Sequence, residues 1–384
     1  MTPEIALTDP DLLTNPFTGY ARAREQAPMA RLVAPGMPPM WALTRHAEAR
    51  AMLTDPRFAL NPASFQRPDV PAHCLPYLRT MQEMEGAEHA RLRRLVTPAF
   101  SARRAADFRP RITPLVDALL DTLEEGKETD LLRDFATPLP IDVICELVGV
   151  PAEDRPQWRR HGTAVAAGHG KAFAEAIPTI LDGAKKAVAD HQEGSLIAML
   201  RQAGGDLTDT ELVTLVWHLV LAGQTPGNLI ANAVETLVEH PDQLAALRAD
   251  ESLMPGAVDE LIRWCGPQLL TIPRFATEDV KLAGALVREG EAVTVAIAAV
   301  NRDPRAFADP DRFDIRRPPA AAGHLGFAHG PHFCLGAPLA RVETEEALTG
   351  LLRRFPRLAI APGGTGRIPD PGTWRLTALQ VTVG

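Results

Sequence analysis

The stretch Phe327-Ala328-His329-Gly330-Pro331-His332-Phe333-Cys334-Leu335-Gly336 sets one cysteine among glycines. A basic residue stands two positions before the cysteine, and an apolar helical run, Ala337 to Leu352, follows it. A thiolate is a strong, soft ligand for iron. Glycines on either side let the backbone turn and approach a flat cofactor without a Cβ clash. Backbone N–H groups of the turn and of the helix start temper the charge on the sulfur. His332 is placed to meet an anionic edge of such a cofactor. A buried free cysteine in a tight turn is the plain alternative for a lone thiol. For a lone cysteine that alternative is usually the better one, so the ten residues must be weighed together.

The rest of the composition narrows the class. The chain has 384 residues, 46% of them hydrophobic, with a formal net charge of −8. That is enough apolar material for a large core, and it carries no nucleic-acid footprint. Cys74, Cys145, Cys265 and Cys334 are scattered, with no CxxC pair or zinc spacing. Such usage points to a reducing cytosol rather than a disulfide scaffold. The first ten residues have neither the basic start nor the apolar core of a signal peptide. The longest apolar run, Leu212 to Ile230, contains His218, Gln224, Pro226 and Asn228, which argues against a membrane span. A cytoplasmic protein is expected.

In chain order, Ala30 to Val33 and Met40 to Thr44 read as a hairpin around a Pro/Gly turn. Residues 60–86 have no clear period and four prolines, and a loop of that length is usually functional or mobile. From Glu88 the pattern is helical. His89 and Arg93 are four apart and share a face, a pair that suits an anion and equally suits a solvated basic surface. Residues 155–191 read as two helices interrupted at Ala167-Gly-His-Gly-Lys171, where no second ligand accompanies His169.

Asp209 to His240 reads as one very long helix crossing the core, broken in character at Ala222-Gly223-Gln224-Thr225-Pro226-Gly227-Asn228. A proline and two glycines inside a helix cost roughly 5 kcal/mol against alanine. Pro226 offers no N–H to the carbonyl of Ala222, so a kink with that oxygen free is expected. Such a cost suggests a site, the alternative being a kink that only shapes the core. Further on, Glu260 and Arg263 are three apart on a helix from Met254 to Trp264 and can pair, by default at the surface. Short alternating runs over residues 267–300 read as strands, and Arg375 to Val383 as part of a hairpin.

The cysteine loop resembles the haem-binding loop of the cytochrome P450 family, Phe-Gly/Ser-x-Gly-x-His/Arg-x-Cys-x-Gly, with Ala328 the one departure. The resemblance extends over essentially the whole chain. It implies a mainly α fold with a minor β portion (about 28–60, 267–300 and 375–384) in a single domain, 1–384. Haem b lies in that fold between the long central helix and the cysteine-loop helix. Cys334 is then the iron ligand, and Phe327, Gly330 and Gly336 shape the loop. His89, Arg93, Arg274 and His332 hold the propionates. Glu260, Arg263 and Arg312 form a buried structural triad. The break at 167–171 would be a lid. Leu269, Leu270, Ile272 and Trp374 would line the substrate cavity.

The family's acid-alcohol pair has the form Ala-Gly-x-Glu/Asp-Thr-Thr. An ungapped match from Asn228 puts Gln224 at the acid and Thr225 at the alcohol, while a gapped match from Ala222 puts Thr225 at the acid. The carboxylate is missing in both. The resemblance implies an O₂-activating oxidoreductase that hydroxylates or epoxidises a medium-sized organic substrate, with electrons from a separate ferredoxin and its reductase. Arg91, Arg94, Arg103, Arg104 and Arg341 could steer that partner. A phenolic or aromatic coupling oxidase, and a non-catalytic haem-binding sensor, stay open.

Overall fold

The computed structural model describes residues 2–61, 64–65, 69–166, 170–204 and 206–384. The expected lid tip and His169 lie outside the described residues. The chain divides into two compact units, Met1–Ser64 with Glu239–Cys334 and Gly366–Thr377, and Phe65–Val238 with Leu335–Thr365 and Ala378–Gly384. Helices dominate and strands are few, as the resemblance implies. Among the described residues no helix is long and apolar enough to cross a membrane.

The first unit is built on a six-stranded sheet. Its order is Glu4–Ala6, Met29–Ala34, Met37–Leu43, Ala292–Val295, Arg274–Ala276, Phe58–Ala59. The expected hairpin is present, with Ala30 opposite Ala42 and Leu32 opposite Met40. Alternate residues go to opposite faces. Met29, Leu43, Val293 and Val295 pack with Met52, Leu53 and Phe58 on one side. Ala30, Leu32 and Ala42 pack with Leu12, Tyr20 and Leu269 on the other.

The helix Met254–Cys265 carries the Glu260–Arg263 pair inward, not at the surface. Both side chains are 2% exposed, with two contacts at 2.7 and 2.8 Å. The third member is Arg317, not Arg312. Arg317 Nε donates to both Glu260 oxygens at 3.2 and 3.1 Å. Arg312 gives only its backbone carbonyl, to Arg263 and Arg317, while its side chain is 67% exposed beside Asp314. Arg263 also donates to the carbonyls of Asn301 and Pro310. The triad therefore pins the meander by its backbone, and the arginine that reaches back is the one beyond the turn.

The second unit packs the cysteine-loop helix, Ala337–Arg354, on the helix Ala102–Leu120. Gly350 allows that approach, since a Cβ there would sit 2.6 Å from Val116. Arg109 bridges the two helices to Glu345 and Glu346, each at 2.5 Å. A three-stranded sheet, in the order Ala359–Arg367, Leu376–Thr382, Glu128–Asp130, includes the expected C-terminal strand.

The long helix is two helices, Asp209–Ala222 and Thr225–Glu239. Thr208 and Glu211 close a capping box at the start of the first. Pro226 falls in the first turn of the second, where a missing N–H costs nothing. The carbonyl of Ala222 is not free, because the Thr225 hydroxyl donates to it at 3.1 Å. Gly227 permits close packing: a Cβ there would lie 2.5 Å from the carbonyl oxygen of Ala136.

Candidate functional site: a cysteine loop, two basic elements and a broken helix

In the first unit the loop closes on itself. Cys334 N donates to the carbonyl of Phe327 at 3.0 Å, and Phe333 N to that of Gly330 at 3.0 Å. Ala328, at the position where Gly or Ser is usual, has φ +59°. A left-handed alanine costs about 1–2 kcal/mol, which accounts for the glycine otherwise found there. Gly330 has φ +77°, and a Cβ on it would meet the Leu53 carbonyl oxygen at 2.7 Å. That same carbonyl accepts from Arg274 Nη1 at 2.8 Å. Leu53 thus ties the loop to the strand that carries Arg274, which is 5% exposed. Phe327 and Phe333 meet edge-on, with ring centres 6.4 Å apart.

The thiols divide sharply. Cys74, Cys145 and Cys265 are buried and Cys334 is exposed. Burial pushes the Cys145 and Cys74 thiols up, and Cys265 donates to the carbonyl of Leu261. Of the four, Cys334 alone is exposed. Gly336, two residues on, has open space where a Cβ would project. A soft exposed sulfur beside an uncrowded glycine fits a flat iron cofactor.

In the second unit the helix Gly86–Val96 carries His89, which is 5% exposed, and Arg93 one turn later. Arg91 is engaged with Glu211. Arg94, Arg103 and Arg104 are exposed. At the helix break Gln224 is 8% exposed, and its amide nitrogen donates to the carbonyls of Gly162, at 2.8 Å, and Val220, at 3.0 Å. Both hydrogens of that amide are therefore spent on protein carbonyls.

Of the residues expected to line the substrate cavity, Leu269 is in the core. Leu269 is 1% exposed, inside the cluster formed with Leu12 and Tyr20, and Leu270 and Trp374 pack against that cluster. Trp374 meets Phe17 edge-on at 5.5 Å and lies under the Arg367 guanidinium at 3.7 Å. Of the four, Ile272 alone is open, at 39% exposure.

Sequence reasoning missed Arg317 and His218. His218 lies on Asp209–Ala222 and lines a cavity of about 180 Å³ with Arg79, Glu88, Leu92, Glu211 and Thr214. Burial, and then the charge of Arg93, lower its pKa to about 4. The available signal was its spacing, seven residues after Glu211 and four before Ala222.

Comparison with known proteins agrees with this geometry. The profile described as Cytochrome P450 matches residues 155–379. The chain is 39% identical to the cytochrome P450 monooxygenase PikC of Streptomyces venezuelae, over 97% of this chain and 92% of that protein. It is 35% identical to the 6-deoxyerythronolide B hydroxylase of Saccharopolyspora erythraea, over 97% and 96%. The solved structure of CxnD, a cytochrome P450 for C–S bond formation in chuangxinmycin biosynthesis, superposes with a TM-score of 0.85 at 32% identity, covering 100% of this chain and 98% of that one. With an exposed loop cysteine and relatives matched along nearly its whole length, the chain belongs to the cytochrome P450 family.

Proposed function

We propose that this P450 is a monooxygenase that hydroxylates or epoxidises a medium-sized, secondary-metabolite-like substrate. Its haem is haem b, and its electrons come from a separate ferredoxin and reductase. The observation that carries the reading is the single exposed cysteine in a closed, glycine-shaped loop. Bound there, a thiolate-ligated haem supplies O₂ activation, the thiolate favouring O–O cleavage. The chain's own share is holding, orienting and proton supply. Cys334 is the iron ligand in this reading. His89, Arg93, Arg274 and His332 are the propionate holders. Exposed Arg94, Arg103 and Arg104 offer a basic surface to an acidic ferredoxin. PikC and the 6-deoxyerythronolide B hydroxylase are named for oxygen insertion, which supports the substrate class.

A second reading, an oxidase that joins groups without retaining oxygen, is favoured by the missing acid at position 224 and by the C–S bond formation named for CxnD. Turnover under ¹⁸O₂ separates the two. Label in the product supports insertion, a joined product without label supports coupling, and no product from any substrate supports a sensor.

Charge-assisted bonds to a propionate are worth about 1.5–3 kcal/mol each. The double variant Arg93→Ala/Arg274→Ala is therefore expected to lose haem on gel filtration or to an apo-globin acceptor far faster than the parent. Equal retention would remove both residues from the propionate role.

At the helix break, Gln224 is a positioning residue and Thr225 the proton-carrying hydroxyl. Gln224→Ala removes two buried hydrogen bonds, at about 0.5–1.5 kcal/mol each. It should lower Tm while leaving the product formed per NADH nearly unchanged in the surviving fraction. Thr225→Ala should do the reverse. Coupling that falls in Gln224→Ala but not in Thr225→Ala would exchange the two roles.

A further inference from the structure

The missing carboxylate leaves this P450 without an ionisable group at the helix break. The nearest titratable group on the same helix is His218, one turn before Ala222. Positions 211, 214, 218 and 222 fall on one face of a 3.6-residue helix. On Asp209–Ala222 they are Glu211, Thr214, His218 and Ala222, whose carbonyl accepts from Thr225. Glu211, Thr214 and His218 all line the cavity of about 180 Å³, together with Met81, Met84, Leu92 and Val96. The share of one water in the liquid is about 30 Å³, so several waters fit. Polar lining on one wall gives them partners.

We propose that this polar stripe is the proton route to the helix break, and that His218 is the relay residue standing in for the absent acid. The inference rests on the monooxygenase reading above.

The charged groups around the cavity suit that task. Arg79 and Glu88 pair at 2.6 Å, and Arg91 holds Glu211, which also accepts from Thr208. These four are neutralised in pairs, so His218 is the cavity-lining group left to exchange protons. No protein hydrogen bond to its ring exists among the described residues, and the residue lines the cavity. Arg93 is the cation that acts on it. A neutral imidazole takes a proton at one nitrogen and releases one from the other. With its pKa lowered to about 4, it does not hold the proton as a lasting cation at neutral pH. Glu211 to His218 is seven residues, a rise of about 10 Å, which water must bridge; His218 to Ala222 is one turn, about 6 Å. Gln224 cannot substitute, because an amide does not titrate and its N–H groups are engaged.

The stoichiometry defines the readout. Insertion takes one O₂, two electrons and two protons, places one oxygen atom in the substrate and releases the other as water. When protons reach the wrong atom or arrive late, the same two electrons and two protons leave with O₂ as hydrogen peroxide. NADH, through a reductase and a plant-type ferredoxin, supplies the electrons.

The test measures hydrogen peroxide released per NADH consumed by the haem-loaded enzyme, in H₂O and D₂O, for the parent, His218→Leu, His218→Gln and His218→Glu. Expected are a slowed proton-dependent step in the Leu and Gln variants, on the order of 10²-fold, with a larger peroxide fraction, and recovery in His218→Glu, which restores a titratable group. Histidine-selective ¹⁵N spectra of the loaded parent should show a ring neutral at pH 6. Three results overturn the proposal: Leu and Gln variants that match the parent, a Gln variant that recovers as well as Glu, or a ring still protonated at pH 7. The reduced CO spectrum, taken for every sample, keeps the two readings apart. A parent without the thiolate signature defeats the monooxygenase reading itself, whereas a parent with it and any of those three results defeats the relay alone.

Discussion

Cys334→Ala is expected to abolish the thiolate signature of the reduced, CO-bound protein and all O₂-dependent turnover. Cys74→Ala, Cys145→Ala and Cys265→Ala should keep the signature. The contrast follows from exposure: three thiols are buried and one is presented at the end of a closed loop. A thiolate, and not a thiol, is the ligand, and Cys334 is the thiol that is not walled off by protein. The difference spectrum of dithionite-reduced, CO-treated protein reads the result directly. A histidine-type band in the freshly prepared parent, or a thiolate band persisting in Cys334→Ala, would defeat the assignment.

The largest stability effect is expected at Glu260. Its carboxylate is 2% exposed and neutralises both Arg263 and Arg317 while accepting from the backbone N–H of Asp314. Glu260→Ala leaves two guanidinium groups facing each other without a counter-charge, and breaking a buried pair this way costs about 3–5 kcal/mol. That approaches the total stability of many domains, so the variant should express poorly and melt at markedly lower urea. Arg317→Ala should be strongly destabilising as well. Arg312→Ala should stay within about 0.5 kcal/mol, as an exposed side chain whose carbonyl is retained. Urea midpoints for the three decide the matter. If Arg312→Ala proved as damaging as Arg317→Ala, the triad drawn here would be wrong.

The residues legible in advance were those whose meaning is local. The cysteine loop is read from ten consecutive positions, and its close approaches, at Gly330 especially, are consequences of backbone geometry that glycine alone permits. The pairing of Glu260 with Arg263 and the shared face of His89 and Arg93 follow from helical spacing. The hairpin of Ala30 and Ala42 follows from alternation around a Pro/Gly turn. Family and helix-rich architecture were legible for the same reason.

Other features depended on what the chain meets elsewhere. Arg312 and Arg317 sit five residues apart in a meander with no period, so local sequence did not say which side chain turns back to Glu260. That was settled by the path of the turn, which leaves the Arg312 carbonyl inside and its guanidinium in solvent. Proline and glycine announced a break in the long helix. Whether it left a free carbonyl depended on the Thr225 hydroxyl reaching back to Ala222. Leu269 alternates like a strand residue, and strand alternation does not say which face is core and which is cavity; packing put it in the core. His218 looked like one polar residue in an apolar run. Its place beside a cavity came from helices and loops remote in sequence closing around it. The sequence by itself determined the cysteine loop, the helical framework and the absence of a carboxylate from residues 222–228, because each is a matter of residue type and short spacing. The tertiary structure decided which arginine completes the buried triad, what holds Gln224, and that His218 lines a cavity. Those outcomes depend on burial and on partners dozens of residues away.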